Sequence, residues 1–250
     1  AILMPIGPNL PWSSKVSTQT INRICMSLII TISLIIILQI IVEGKTFNLN
    51  LLIIGLGAWI IINSIVDLLP NNNHSADKNI SDIIMFNIKN INIRRAGVRI
   101  AHAGFGLLIV GIVTASSYSE QKDLKILNGG IVDINKYVLQ YEGLETDIGQ
   151  NYDDLVLNFK IQLHNKTLGE VLPKKRFFRN SGDITTEAGI FRHNMSHIFI
   201  TVGEVQESHI YATISYKPFV RFIWLGSFFM VAGLLTSLLI RIYFTKRAHD

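Results

Sequence analysis

Cysteine is almost absent from these 250 residues, and the single one, Cys25, sits inside an apolar run. That excludes an internal disulfide, a Cys-x-x-Cys pair and a Cys-x-x-Cys-His haem attachment site, so the chain is not itself a c-type cytochrome. Charge is scarce as well: 16% of residues are Asp, Glu, Lys or Arg against 49% hydrophobic, where a soluble domain carries about 25% charged residues. With a mean hydropathy of +0.36, a bilayer is the expected solvent. Acidic residues are the scarcer sign, 18 against 23 basic. The formal charge of +5 has no Lys/Arg stripe with interleaved aromatics, which excludes a nucleic-acid surface. There is also no nucleophile beside its base, no phosphate-cradling glycine loop and no carboxylate pair placed for acid–base work. A self-contained hydrolase is thereby disfavoured. The chain opens on Ala1 rather than Met, and Ala1 to Ile6 has neither the basic region nor the cleavage site of a signal peptide. The start reads as a truncation or a split gene.

What is present is organised in blocks. Four stretches are apolar over the ~20 residues that cross ~30 Å of hydrocarbon as a helix: about residues 24–42, 49–69, 96–116 and 219–240. In lipid each must satisfy its own backbone, so they are predicted as transmembrane helices despite their β-branched isoleucines. Pro70 and the polar run Asn71 to Asn73 stop the second. Basic residues near the ends predict the orientation. Lys15 and Arg23 precede the first run, and only Lys45 separates the first two. Lys78, Lys89, Arg94, Arg95 and Arg99 lie before or at the start of the third, and Arg241, Lys246 and Arg247 follow the fourth. Both termini and the loop around 70–95 are expected on the cytoplasmic or matrix side, with residues 117–217 on the other side.

That long segment alternates apolar with polar residues, as half-buried strands do. Strands are predicted at Ile131 to Ile134, Tyr137 to Tyr141, Leu155 to Leu163, Ile198 to Val205 and Ile210 to Tyr216, with turns at Asn128-Gly129-Gly130 and at Gly203 to Ser208. About 100 residues can close a small sandwich or barrel. The predicted fold class is therefore membrane α-helical, four transmembrane helices with a β-rich extramembrane domain inserted before the last. Residues 1–116 form a membrane region with three helices, 117–217 the exoplasmic β-rich domain, and 218–250 the last helix with a basic tail.

His102 is the most informative single residue. It lies roughly 9 Å into the third apolar run at 1.5 Å per residue, where an ionisable group is a functional candidate. Arg99 at i−3 and Gly106 at i+4 share its face. A neutral imidazole can ligate haem iron, a flanking glycine leaves room for a flat macrocycle, and an arginine near the interface can pair with a propionate. A histidine hydrogen-bonded to a neighbouring helix, with its glycines serving close packing, answers the same pattern. His193 and His197 have an i, i+4 spacing that would suit a metal only if helical, and no Cys or acidic ligand completes a set with them or His209. His74, His164 and His249 read as loop or tail residues. Lys174-Lys175-Arg176-Phe177-Phe178-Arg179 is a basic and aromatic patch, either a solvated face or a contact for propionates, an acidic partner or headgroups. Asp67 and Glu43, at the ends of runs, read as capping or snorkelling groups.

Several of these segments together resemble one family. Gly97-Val98-Arg99-Ile100-Ala101-His102-Ala103-Gly104 followed by Gly111-Ile112 looks like the family's Gly-x-x-x-Ala-His-x-Gly helix. Lys175-Arg176-Phe177-Phe178 with Thr185-Thr186-Glu187-Ala188-Gly189-Ile190 looks like its outer-domain core, and Tyr216 to Gly226 like the approach to its last helix. Met4-Pro5, Gly7-Pro8 and Trp12 resemble its segment around a Gly-Pro and a tryptophan. The family is CcmF, the cytochrome c haem-lyase subunit. The resemblance implies cytochrome c maturation in the bacterial or mitochondrial inner membrane, joining haem vinyl groups to Cys-x-x-Cys-His cysteines of apocytochrome c. It implies that His102 ligates a membrane haem b, and the shared helix face adds Arg99 and Gly106 as candidates for the same site. It also implies partners: the haem chaperone CcmE, a thioredoxin-like CcmH-type thiol protein, apocytochrome c, membrane lipid and the N-terminal CcmF region or chain, but no nucleic acid.

The chain departs from that family in two places. The tryptophan-rich haem-handling segment with its flanking histidines is missing, since Trp12, Trp59 and Trp224 are scattered, and no second histidine lies in the four runs. The expectation is a C-terminal part of CcmF, incomplete as a haem lyase without the N-terminal region. A purely structural assembly subunit, whose β domain docks partners, competes with it. A transporter is disfavoured because the runs show no paired intramembrane charges.

Overall fold

A computed structural model describes residues 3–7, 16–43, 49–68 and 93–246. Trp12, Lys15, Lys45, Asn71 to Asn73, His74, Lys78, Lys89, Arg247 and His249 lie outside the described residues. The chain divides into two compact units, residues 1–113 with 221–250, and residues 114–220.

The first unit holds four helices: α1 (Thr18–Leu38), α2 (Leu49–Leu68), α3 (Ile93–Ser117) and α4 (Arg221–Lys246). Their apolar portions run 24, 19, 22 and 23 residues. At 1.5 Å per residue each reaches about 28 Å or more, enough to span a bilayer. The four predicted membrane helices are thus present. α1 begins at Thr18, ahead of the apolar run, because the Ser17 Oγ accepts from the Thr20 N–H at 3.2 Å and caps it. Hydropathy does not register a cap. A π-helical turn, Gln39–Glu43, extends α1.

Polar side chains and glycines pack between these helices beside the buried Leu51, Trp59 and Ile60. α1 meets α2 through Ser27, Thr31, Asn63 and Ser64, all buried. Trp59 Nε1 donates to Ser27 Oγ at 3.1 Å, Ser27 Oγ donates to Asn63 Oδ1 at 3.3 Å, and Asn63 Nδ2 donates to the Pro5 carbonyl at 2.9 Å. Asn63 thereby ties the Leu3–Gly7 turn to the helix pair. Elsewhere backbones touch directly. A Cβ added to Gly104 of α3 would lie 2.6 Å from the Gly226 carbonyl oxygen of α4, and one added to Gly106 would lie 2.6 Å from the Gly57 carbonyl oxygen of α2. Only glycine permits such approach, the usual device where lipid removes the hydrophobic incentive to pack.

The second unit is a β-sandwich of ten antiparallel strands: β1 (Glu120–Leu127), β2 (Ile131–Ile134), β3 (Tyr137–Ile148), β4 (Tyr152–Leu163), β5 (Lys166–Val171), β6 (Lys174–Phe178), β7 (Ile184–Glu187), β8 (Gly189–His193), β9 (Ser196–Val205) and β10 (His209–Lys217). One sheet runs β1-β10-β9-β8, and the other β2-β3-β4-β6-β7 with β5 also pairing β4. The inward positions of β3 (Tyr137, Leu139, Tyr141), β4 (Leu157, Phe159, Ile161), β9 (Ile198, Ile200, Val202) and β10 (Ile210, Ala212, Ile214, Tyr216) form one buried core. The five strands predicted from alternation are all there. β1 and β5 to β8 escape that signal: β1 turns Glu120 and Lys122 inward, β6 is mostly charged, and every residue of β7 is exposed. The β4–β5 turn holds His164 and Asn165 at φ 48° and 61°, the left-handed pair that a two-residue hairpin loop requires.

Candidate functional site

Three charged residues from three helices meet in the membrane unit. Arg23 stands near the start of α1, Asp67 near the end of α2 and Arg99 near the start of α3. α1 and α3 therefore run opposite to α2, and the three side chains share one end. Asp67 is ion-paired with the buried Arg99, and Arg23 Nη1 lies 3.9 Å from its other oxygen. The expectation that the helices carry no paired charge does not hold at this end. The partners sit on different helices, so no spacing along the chain displays them. One signal could have found the pair, because the flank count assigns Arg23, Asp67 and Arg99 to the same side of the membrane.

His102 lies one turn inward from Arg99, about 4.5 Å along the helix axis. Its residue is half-buried, and Nδ1 is buried without a hydrogen bond of good geometry, the Val98 carbonyl one turn back being its polar neighbour. Gly106, on the same face, receives the α2 backbone at Gly57. Of the residues singled out from sequence, the structure brings Arg99 to Asp67 and Gly106 to α2. Among the described membrane helices His102 is the only histidine.

The outer basic patch becomes a different object once folded. β6 lies beside β4 with Arg176 opposite Asp154 and Phe177 opposite Asp153. Arg176 donates Nε and Nη2 to the two oxygens of Asp154 at 2.7 and 2.8 Å and pairs with Glu187 at 2.9 Å. Its guanidinium also stacks 3.9 Å above the Tyr152 ring. Arg179 binds Asp153 bidentately at 3.1 and 2.5 Å, Lys174 lies 3.5 Å from Asp154, and Lys175 Nζ donates to the Gly203 carbonyl at 2.7 Å. Each of the four cations has a partner inside the sandwich. Hydrogen bonds from Arg176 hold the fully buried Asp154 carboxyl below the usual range, against the opposing effect of burial, and those from Arg179 do the same to Asp153. Asp154 in turn raises Arg176. The run reads as basic in sequence because its carboxylates lie on another strand.

The outer histidines do not converge on a metal. His193 ends β8, and its Nδ1 is 2.9 Å from the Tyr137 hydroxyl, while His197 lies on β9 and His209 opens β10. Among the described residues no group of three or more His, Cys, Asp or Glu is placed to hold an ion. Burial, and secondly Tyr216, push the Tyr137 phenol up, so it acts as a neutral hydrogen-bonding anchor.

Comparison with known proteins matches residues 117–218 to the family described as the CcmF C-terminal β-sandwich. The cytochrome c-type biogenesis protein CcmF of Escherichia coli is 26% identical over 234 residues, 93% of this chain and 34% of that protein. CycK of Bradyrhizobium diazoefficiens is 25% identical over 246 residues, 95% of this chain and 36% of its own length. CcmF of Pseudomonas aeruginosa is 28% identical over 192 residues, 76% and 28%. The chain spans about a third of the length of these relatives. A solved structure of the cytochrome c heme lyase CcmF superposes over 94% of this chain and 37% of that one, with TM-score 0.68 and 14% identity. That likeness shows the fold.

Proposed function

We propose, on the premise that residues 117–218 belong to the CcmF C-terminal β-sandwich family and that the chain is similar to the C-terminal part of CcmF over nearly all its length, that it serves cytochrome c maturation as part of a haem lyase. With the N-terminal CcmF region or chain it would help join haem to the Cys-x-x-Cys-His cysteines of apocytochrome c. The CcmE chaperone, a CcmH-type thiol protein and the apocytochrome would meet it on the sandwich side. In this proposal the membrane is the bacterial or mitochondrial inner membrane, and both termini lie on the cytoplasmic or matrix side. The flank charges support that orientation, and so does the meeting of Arg23, Asp67 and Arg99 at one end.

The observation that carries the reading is His102. Its imidazole is the only one in the described membrane helices, half-buried, with Nδ1 buried and unused by any good hydrogen bond. Those properties fit a histidine that would hold haem b through its iron. A haem iron held there would supply one-electron chemistry at a potential set by its ligands. The protein's own part is positional. Arg99, fixed by Asp67, sets the height of α3 at the membrane edge, and Gly106 lets α2 come close beside the histidine.

A second reading, a non-catalytic assembly subunit, draws on Gly106. The α2 backbone, rather than open space, faces it. One substitution separates the two. In the complex assembled with the N-terminal region, His102→Ala is expected to lose the b-type Soret band and cytochrome c maturation while membrane insertion persists, and added imidazole is expected to restore part of the band. An unchanged haem spectrum with full maturation would make His102 a packing residue and leave the assembly reading standing.

A further inference from the structure

The two sheets of the sandwich differ in length. β3 and β4 each run 12 residues, but their share of the buried core ends at Tyr141 on β3 and Leu157 on β4. Past those positions the sheet continues through 144–148 and 152–156 into β6 and β7. On the β6–β7 side β9 still reaches it, since Lys175 Nζ donates to the Gly203 carbonyl and Thr186 Oγ1 lies 3.5 Å from the Val202 carbonyl. On the β3 side every residue from Leu144 to Ile148 is exposed. Leu144 pairs with the core residue Leu157, which puts Leu144, Thr146 and Ile148 on the inward face, yet Leu144 is 43% and Ile148 72% exposed. An apolar inward face therefore lacks its cover.

The same stretch is an open strand edge. β2 covers β3 only as far as Tyr141, whose N–H donates to the Gly130 carbonyl at 2.9 Å. There the turn between β1 and β2 takes the chain across to the other sheet, and β3 bulges before Gly143, at φ 145°, to resume its pairing with β4 one residue out of step. Gly149 N–H then donates to the Tyr152 carbonyl at 2.9 Å. Antiparallel alternation gives Asp147 and Glu145 to the β4 ladder and turns the N–H and C=O groups of Leu144, Thr146 and Ile148 outward, over about 17 Å of edge. Proteins shield such edges with inward-turned charges or by keeping them short. The β2 edge is shielded, with Lys122 Nζ on the Asp133 carbonyl and Glu120 on the Asn135 N–H, and β7 at the opposite side of the sheet is only 4 residues long. Residues 144–148 have neither protection.

We propose that the 144–148 edge of β3 takes an extended segment of a partner protein in which apolar and basic residues alternate. Added antiparallel, the segment residues opposite Leu144, Thr146 and Ile148 hydrogen-bond to β3 and lay their apolar side chains on the inward face, where cover is missing. The residues between them stand on the outer face opposite Glu145 and Asp147. Both carboxylates are exposed, and among the described residues neither has a cation at ion-pair distance. That calls for Lys or Arg. A second copy of this chain fits worse: two such edges paired antiparallel about Thr146 set Glu145 of each against Asp147 of the other, and like charges directly opposite destabilise. The site stands on the strand edge and does not depend on haem at His102.

The full-length chain in neutral-detergent micelles is titrated into fluorescein-labelled Ser-Val-Lys-Val-Lys-Val-Ser, with empty micelles as the blank, and anisotropy is read. Saturable binding above the blank is expected. N-methylation of the valines removes the donors aimed at β3 and should weaken binding by at least about tenfold. Glu145→Lys combined with Asp147→Lys should turn the preference to Ser-Val-Glu-Val-Glu-Val-Ser, a reversal that partition into micelles does not produce. Thr146→Pro removes an outward N–H that the β4 ladder does not use and should weaken binding severalfold. The methylated peptide tests the wild-type edge even if Thr146→Pro fails to fold. His102→Ala leaves this binding intact, so failure of the haem reading is distinguishable from failure here. Absence of saturable binding at millimolar peptide, equal binding of the methylated peptide, or no reversal in the double variant overturns the proposal. Self-association of the chain that Thr146→Pro abolishes would give the edge to a second copy and overturn it as well.

Discussion

The membrane unit and the sandwich use apolar residues in opposite directions. In the helices Ile29, Ile36, Trp224, Phe228 and Leu239 point outward and polar Ser27, Thr31, Asn63 and Arg99 share the buried positions with Leu51, Trp59 and Ile60, while in the sandwich Leu139, Phe159, Ile200 and Ile214 are wholly buried. The cause is the solvent. Water drives side-chain volume into a core at about 25 cal/mol per Å², whereas lipid offers no such gain and leaves helices to associate by close backbone contact and polar bonds. The difference teaches that the same residue type is structural in one unit and merely solvated in the other.

The largest expected effect lies in the sandwich core. Phe159→Ala removes a ring with no exposed surface and should destabilise that unit by about 3–5 kcal/mol, read as faster hydrogen exchange across β3 and β4 in the detergent-solubilised chain. Helical peptides should keep their exchange rates; if they change equally, the two units do not behave separately.

Next comes the ion network. Asp154→Ala removes the buried carboxylate that Arg176 and Lys174 share and should destabilise β4 and β6, by less than Phe159→Ala because Arg176 keeps Glu187 and is 22% exposed. The same pair predicts a pH dependence. The folded-state pKa values of Asp154 and Asp153 are depressed, so their stabilisation is present above the unfolded value of about 4 and is lost as pH falls through the folded values. Protection of β4 and β6 should therefore be steady near neutrality and decline below about pH 4, and Asp154→Asn should flatten the decline. A profile identical to wild type would show that the pair does not set acid stability.

In the membrane unit the sensitive positions are glycines rather than large residues. Gly104→Val inserts side-chain atoms where the Gly226 carbonyl already stands and should cost about 1–3 kcal/mol, measured as lost protease resistance of α3 and α4. The smallest effect belongs to Trp224→Ala. That side chain is 71% exposed, and its removal should move stability by less than about 0.5 kcal/mol. A loss as large as that of Phe159→Ala would mean that Trp224 is covered by a partner instead of lipid.

Sequence alone determined the solvent of each segment, and with it much of the fold. Long unbroken apolar runs admit only helix in lipid, and the alternation in Tyr137 to Tyr141, Leu155 to Leu163 and Ile210 to Tyr216 admits only half-buried strands, because both signals are periodicities of the chain itself. His102 was legible for the same reason, as an ionisable group inside an apolar run. Tertiary structure decided what depends on residues distant in the chain. Asp67 read as a cap until α1 and α3 brought Arg23 and Arg99 to it. Lys174 to Arg179 read as a free basic patch until β4 supplied Asp153 and Asp154. Gly106 read as room for a ligand until α2 filled it. In each case a charge or a vacancy has no meaning until its partner is known, and partners are chosen by packing between elements rather than by order along the chain.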